Sequence, residues 1–240
     1  MDLVIAAFVM FAAAAVQGGM GFGFGLVSMA LLPLLYGVAV AVPVVSVFSL
    51  PLSLSLAWRL RSDLSWERLG PMLVGGLLGV PIGVIFLRSA DPTVLVGTLG
   101  VLLVAFAVWL GRANAVAPRR RWLGGLAGFA GGILGGAFAT GGPPVVAYTS
   151  STPWSPEEIR ATLQAHFGIL SVLHIALLVL AGLTTVETLT LNVTLLPALL
   201  LGGVLGDALS RRLSPARFRV LIRLGMAIVG VAMLHQSLSG

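Results

Sequence analysis

This chain is poor in charge. Only 9% of its 240 residues are Asp, Glu, Lys or Arg, while 58% are hydrophobic. Soluble domains carry about 25% charged residues, so an ordinary soluble domain is excluded. Cysteine is absent, which removes a disulfide framework, a thiolate metal site and a thiol nucleophile. Lysine is absent too. Without it there is no GxxxxGK[ST] phosphate loop, and so no nucleotide-driven motor within the chain. GxSxG, HExxH and paired intramembrane carboxylates are also missing, which speaks against an intramembrane enzyme. The lack of midplane acids and thiolates likewise leaves no metal site and no cofactor, and disfavours a metal-cation carrier. The start, MDLVIAAFVMFAAAAV, has no basic n-region and reads as mature structure, not as a cleaved leader.

Two glycine-broken apolar stretches organise what is present. One runs from Val16 to Gly37, VQGGMGFGFGLVSMALLPLLYG, and the other from Gly131 to Thr152, GGILGGAFATGGPPVVAYTSST. An interior helical glycine costs roughly 1 kcal/mol relative to alanine. Non-helical backbone survives at membrane depth only where protein buries it or where it lines a cavity. Such breaks at corresponding places in two halves are the sequence mark of a transporter's binding site.

The halves also repeat elsewhere. Leu73–Gly79, LVGGLLG, is echoed by Leu200–Gly206, LLGGVLG, and each is followed by a basic turn with a proline, Pro92 or Pro215. All 14 basic residues are arginine and the net charge is +6. They sit between apolar runs, where they act as topology signals near anionic headgroups and not as a nucleic-acid surface. If each broken segment crossed the membrane once, Arg59, Arg61, Arg68, Arg112 and Arg119 to Arg121 would lie opposite the other seven. If each instead enters and returns, only Arg88 is separated from the other thirteen. The positive-inside rule selects the second arrangement.

The expected fold is therefore an all-α polytopic membrane protein of two inverted repeats, each a re-entrant broken-helix hairpin plus three transmembrane helices. The first repeat covers 1–112, with a hairpin at 3–36 and spans at 38–58, 69–87 and 93–110. A cytoplasmic linker occupies 113–121. The second repeat covers 122–240, with a hairpin at 122–151 and spans at 159–180, 189–208 and 218–234. Both termini are expected outside a bacterial-type plasma (inner) membrane, with the arginine-rich loops cytoplasmic.

A helix restarting inside the membrane presents unpaired N–H groups and the positive end of its dipole, a natural anion site. At the first tip this singles out Gly21, Gly23, Gly25 and Ser28, with the returning arm expected to start near Gly25 and Ser28 in its first turn. At the second it singles out Thr140, Gly141 and Gly142, with the hydroxyl and glycines opening the helix, prolines next, and a positive φ expected at Gly142. Thr162, Gln164 and His166, and in the equivalent span Ser46 and Ser49, are polar groups in apolar settings that face a bundle interior. Thr162 and His166 share a helix face, whereas Gln164 is expected to point elsewhere. His166 is the candidate proton-coupling residue, since imidazole titrates near neutrality. Ser171 is a further polar residue of that span. His174 and His235 are read as incidental, and Asn192 and Asp207 as pocket or packing residues.

The glycine-rich break followed by Pro33, the second break GGAFATGGPPVVAY and the following PEEIRATLQAHF resemble the TauE/SafE sulfite exporter (TSUP) family over essentially the whole chain. The first break reads GMGFGFG where many members carry three consecutive glycines. The resemblance implies a secondary transporter, an exporter, of a small sulfur-containing anion such as sulfite or an organosulfonate. Bound at the midplane between the two tips, the anion would cross by alternating access. A passive anion channel would use the same pocket and is the alternative, with an intramembrane enzyme behind it. The partners implied are the anion and the lipid bilayer, and a homo-oligomer is compatible with the sequence.

Overall fold

The computed structural model describes residues 1–20, 22–112, 121–210 and 215–239. Gly21 and residues 113–120 of the expected linker lie outside them, as do Arg211 and Arg212. The chain is an all-α polytopic membrane protein. Its helices are α1 (Asp2–Met20), α2 (Phe24–Tyr36), α3 (Val38–Arg59), α4 (Trp66–Ser89), α5 (Pro92–Arg112), α6 (Arg121–Phe138), α7 (Gly142–Ser150), α8 (Pro156–Leu180), α9 (Val186–Ser210) and α10 (Pro215–Ser239). Among the described residues, α3, α4, α5, α8 and α9 are long and apolar enough to cross a membrane. At 1.5 Å per residue, α2 reaches only about 20 Å and α7 about 14 Å, short of a roughly 30 Å hydrocarbon core. Large apolar side chains face outward along the helices, as at Ile85, Val186 and Val193. Water would penalise such a surface, whereas lipid accepts it.

Polar residues at the helix starts set the boundaries. Ser155 and Glu158 form a reciprocal capping box at α8: the Ser155 N–H donates to Glu158 Oε2 (2.8 Å) and the Glu158 N–H to Ser155 Oγ (3.1 Å). Thr185 and Thr188 exchange equivalent bonds at the start of α9, and the Thr93 N–H donates to Asp91 Oδ1 at the start of α5. These contacts satisfy donors that a helix start leaves without partners.

Glycine decides the closest packing. α4 carries Gly75, Gly79 and Gly83, while α6 carries Gly128, Gly132 and Gly136, each series at four-residue spacing. A methyl group at Gly79 would collide with the Phe129 carbonyl, and one at Gly83 with the Ile133 carbonyl. The contacts advance together along both chains, so the helices run parallel with backbones in contact, the geometry small residues permit in lipid. α1 and α9 pair in the same way, with Gly202 lying on the Phe11 carbonyl. Beyond these pairs, α3 packs on α8 and α5 on α10, while α2 packs on α1 and α3 as α7 packs on α6 and α8. These named pairs map onto one another when α1–α5 are exchanged for α6–α10, whereas the contact of α2 with α10 has no equally close counterpart between α7 and α5 among the described residues.

Polar contacts fix which ends lie together. Arg68, at the start of α4, pairs with Glu158 at the start of α8. At the opposite end, Asn192 of α9 donates to the Val44 carbonyl of α3 (2.9 Å), and Ser237 of α10 to the Thr93 carbonyl (3.1 Å).

Candidate anion-binding cavity between the hairpin tips

The two breaks are built differently. α1 ends near Met20 and α2 starts at Phe24, with Gly23 as its N-cap at φ 105°, a left-handed conformation that glycine adopts freely. The returning arm therefore starts one residue before Gly25, and Ser28 lies beyond the first turn, not within it. At the second break the left-handed residue is Ala139, φ 51°, a conformation costing a non-glycine residue roughly 1–2 kcal/mol. Gly141, not Thr140, is the N-cap of α7. Gly142 is the first helical residue, and no positive φ is needed there because the turn has already been made at Ala139. A Cβ at Gly25 would run into the Ala139 carbonyl, so the tips touch through this pair.

A cavity of about 80 Å³ lies against that contact. One water needs roughly 10–15 Å³ on this measure, so the space suits a small oxyanion. The first tip contributes Gly23, Phe24, Gly25 and Leu26, with Gln17 beside them. The second contributes Ala139, Thr140, Gly141 and Gly142, with Gly131 and Gly135 of α6 behind. α3 adds Ser46 and Ser49, α4 adds Val80, and α8 adds His166, Phe167, Leu170, Ser171 and His174. No Asp, Glu or Arg is among these residues.

Most of the expected site residues converge here: Gly23, Gly25, Ser46, Ser49, Thr140, Gly141, Gly142 and His166. Ser28 and Thr162 are buried elsewhere, their hydroxyls without a partner. Gln164 is also off the cavity, accepting from Gln17 Nε2 (3.3 Å), which donates to Ser53 Oγ as well (3.2 Å). Gln17 thus ties α1, α3 and α8 together beside the pocket. Phe24, Gly25 and Leu26 occupy the first three positions of α2, where N–H groups have no acceptor within the helix. At α7 only Gly142 supplies such a donor, because Pro143 and Pro144 have none. Two side-chain atoms of the lining are buried without a partner, Thr140 Oγ1 and His166 Nδ1.

The sequence family model described as "Sulfite exporter TauE/SafE" matches residues 6–233. The chain belongs to the TauE/SafE sulfite exporter family. This TauE/SafE member matches no curated protein and no solved structure. The family is one of membrane transporters, so the chain is an integral membrane protein of transporter type.

Gln17, which the sequence does not single out, and His174, expected to be incidental, both line the pocket of this TauE/SafE member. Gln17 is the one amide in the apolar run before the first glycines. His166, Leu170 and His174 recur every four residues, one stripe of α8. That spacing was the available signal, since residues four apart share a helix face.

Proposed function

We propose that this TauE/SafE member is a secondary exporter of a small sulfur-containing anion, sulfite or an organosulfonate, bound between the two hairpin tips and carried by alternating access. The observation that carries this reading is that Thr140 and His166, whose Oγ1 and Nδ1 atoms are buried without a partner, both line a cavity of oxyanion size. A buried polar atom without a partner costs about 1–3 kcal/mol, and an oxyanion accepting from both would remove that cost. The N-terminal amides of α2 and Gly142 complete a donor-rich, acceptor-poor lining that carries no fixed charge.

The pairing of α1–α5 against α6–α10 supports two inverted repeats, 1–112 and 122–240, rocking about the shared cavity. The contacts joining helix ends agree with both termini on one face and the arginine-rich loops on the other, which the positive-inside rule makes the cytoplasmic face of the inner membrane.

Purified protein screened by thermal shift against sulfite, sulfate, thiosulfate, taurine, sulfoacetate and simple carboxylates tests the assignment. Ligands of the native state raise its apparent stability by mass action. Sulfite or an organosulfonate should give the largest shift. A response confined to carboxylates would refute the substrate class.

A further inference from the structure

The bonds of His174 raise a question of hydrogen count. His174 Nε2 lies 3.1 Å from the Gly136 carbonyl, which only accepts, so Nε2 carries hydrogen. His174 Nδ1 lies 3.2 Å from Ser46 Oγ, and Ser46 Oγ donates its single hydrogen to the Val42 carbonyl at 2.6 Å. With that hydrogen on Val42, the neutral ring's Nδ1 faces the oxygen with a lone pair on each side, and only a turn of the Ser46 hydroxyl away from Val42 would give the neutral ring a donor there. Adding one proton to Nδ1 lets every group bond at once: Nδ1–H donates to Ser46 Oγ, Ser46 to Val42, and Nε2–H to Gly136.

The position of the carbonyl adds a second, independent argument. Gly136 lies in the last turn of α6. Thr140, which would supply its helical donor, gives its N–H to Leu134 instead (3.4 Å). His174 therefore binds at a helix C-terminus, where the macrodipole favours a cation, an effect of up to about 2 kcal/mol in partly buried settings. The starts of α2 and α7, which favour an anion, border the same cavity. In discontinuous-helix transporters substrate anions sit at half-helix N-termini and coupling cations at half-helix C-termini. The cavity holds both kinds of end.

We propose that His174 takes up the proton that travels with the anion, held between Ser46 Oγ and the Gly136 carbonyl. This deepens the transport reading above and rests on it. His166 is the other titratable side chain among the described residues of the cavity. The elements packed around His174 line it with Ser46 and Ser49 from α3, Val80 from α4 and the glycines of α6, and none of these is charged. His166 has no carbonyl partner at Nδ1 and serves as a ligand donor, while His174 carries the coupling charge. A lone imidazolium and a lone anion are each costly in such a space, and the two together largely offset that cost. The proton comes from water on the loading side, adds to the Nδ1 lone pair, and leaves to water on the far side in the same direction as the anion. No bond other than N–H forms or breaks.

The test uses the full chain in liposomes containing a trapped pH dye, with radiolabelled sulfite as probe and radiolabelled taurine in parallel. For the wild type we expect net sulfite uptake with proton movement in the same direction, and also one-for-one sulfite exchange. His174→Gln should lose the proton movement and cut net uptake at least tenfold, with exchange still measurable at a reduced rate. Ser46→Ala keeps the ring but removes the acceptor for Nδ1–H. A hydrogen bond to a charged group is worth about tenfold or more in affinity, so half-maximal uptake should move about one pH unit towards acid. Proton movement that persists in His174→Gln, or an unshifted pH profile in Ser46→Ala, would overturn the inference. A wild type that shows exchange and net uptake without proton movement would overturn it alone. A wild type that exchanges neither labelled sulfite nor labelled taurine would overturn the transport reading and the coupling with it.

Discussion

Thr140→Val separates a binding role from a structural one. The Thr140 hydroxyl is buried and has no partner in the protein, so valine, close to threonine in shape, breaks no intramolecular hydrogen bond. Removing an unsatisfied buried group relieves a cost of about 1–3 kcal/mol. The ligand-free protein should therefore be at least as heat-stable as the wild type. Binding should move the other way, because a hydrogen bond to a charged partner contributes about 1.5–3 kcal/mol, or roughly ten- to a hundredfold in affinity. With sulfite at 100 times the wild-type Kd, ligand stabilisation of the wild type is about 2.7 kcal/mol. The same concentration would give the variant about 1.4 kcal/mol for a tenfold loss, or about 0.4 kcal/mol for a hundredfold loss. Thermal denaturation with and without sulfite reads both effects in one experiment. A variant less stable without ligand yet stabilised by sulfite as strongly as the wild type would refute the reasoning at this tip.

Three further outcomes follow from the same geometry. Gly25→Ala should push the tips apart through the Ala139 carbonyl and abolish measurable sulfite binding, whereas Gly142→Ala, whose methyl would sit 3.7 Å from Phe167, should bind nearly normally; equal effects in a binding titration would contradict the arrangement of the tips. Gly79→Val should separate α4 from α6 and lower the thermal midpoint, since overpacking costs about 1–3 kcal/mol or more; an unchanged midpoint would contradict the backbone contact. Single cysteines introduced near residues 1 and 120 of this cysteine-free chain should be labelled by impermeant reagents from opposite faces, and labelling from one face would end the inverted-repeat reading.

Helix content and the two breaks were legible because lipid leaves few alternatives: apolar runs of span length must be helical, and glycine clusters within them interrupt. The glycine series of α4 and α6 were visible as well, but their partnership was not. Spacing shows that a face is small and does not show which helix meets it. The tip geometry was misread for a related reason. Glycine marks where a left-handed residue is cheap, yet the second turn uses Ala139, leaving Gly142 helical and Thr140 free of any capping role. Gln164, two residues from His166, was expected on another face of the helix, and it lies off the cavity, bonded to Gln17. Thr162 shares a face with His166 at four-residue spacing yet lies off the cavity too, because the pocket takes in only the part of that face from His166 onward. His174 looked peripheral because it lies nearer the end of α8, and its role emerges only with the C-terminus of α6 packed against it.

The central claim is that a small sulfur-containing anion is carried through the cavity between the tips. Counterflow in proteoliposomes tests it most directly: vesicles loaded with unlabelled sulfite are diluted into a trace of labelled sulfite. A carrier predicts transient accumulation of label above equilibrium, saturation with sulfite, and a strong reduction in Thr140→Val. Label that only equilibrates, without saturation or overshoot, would contradict the account and point to a channel.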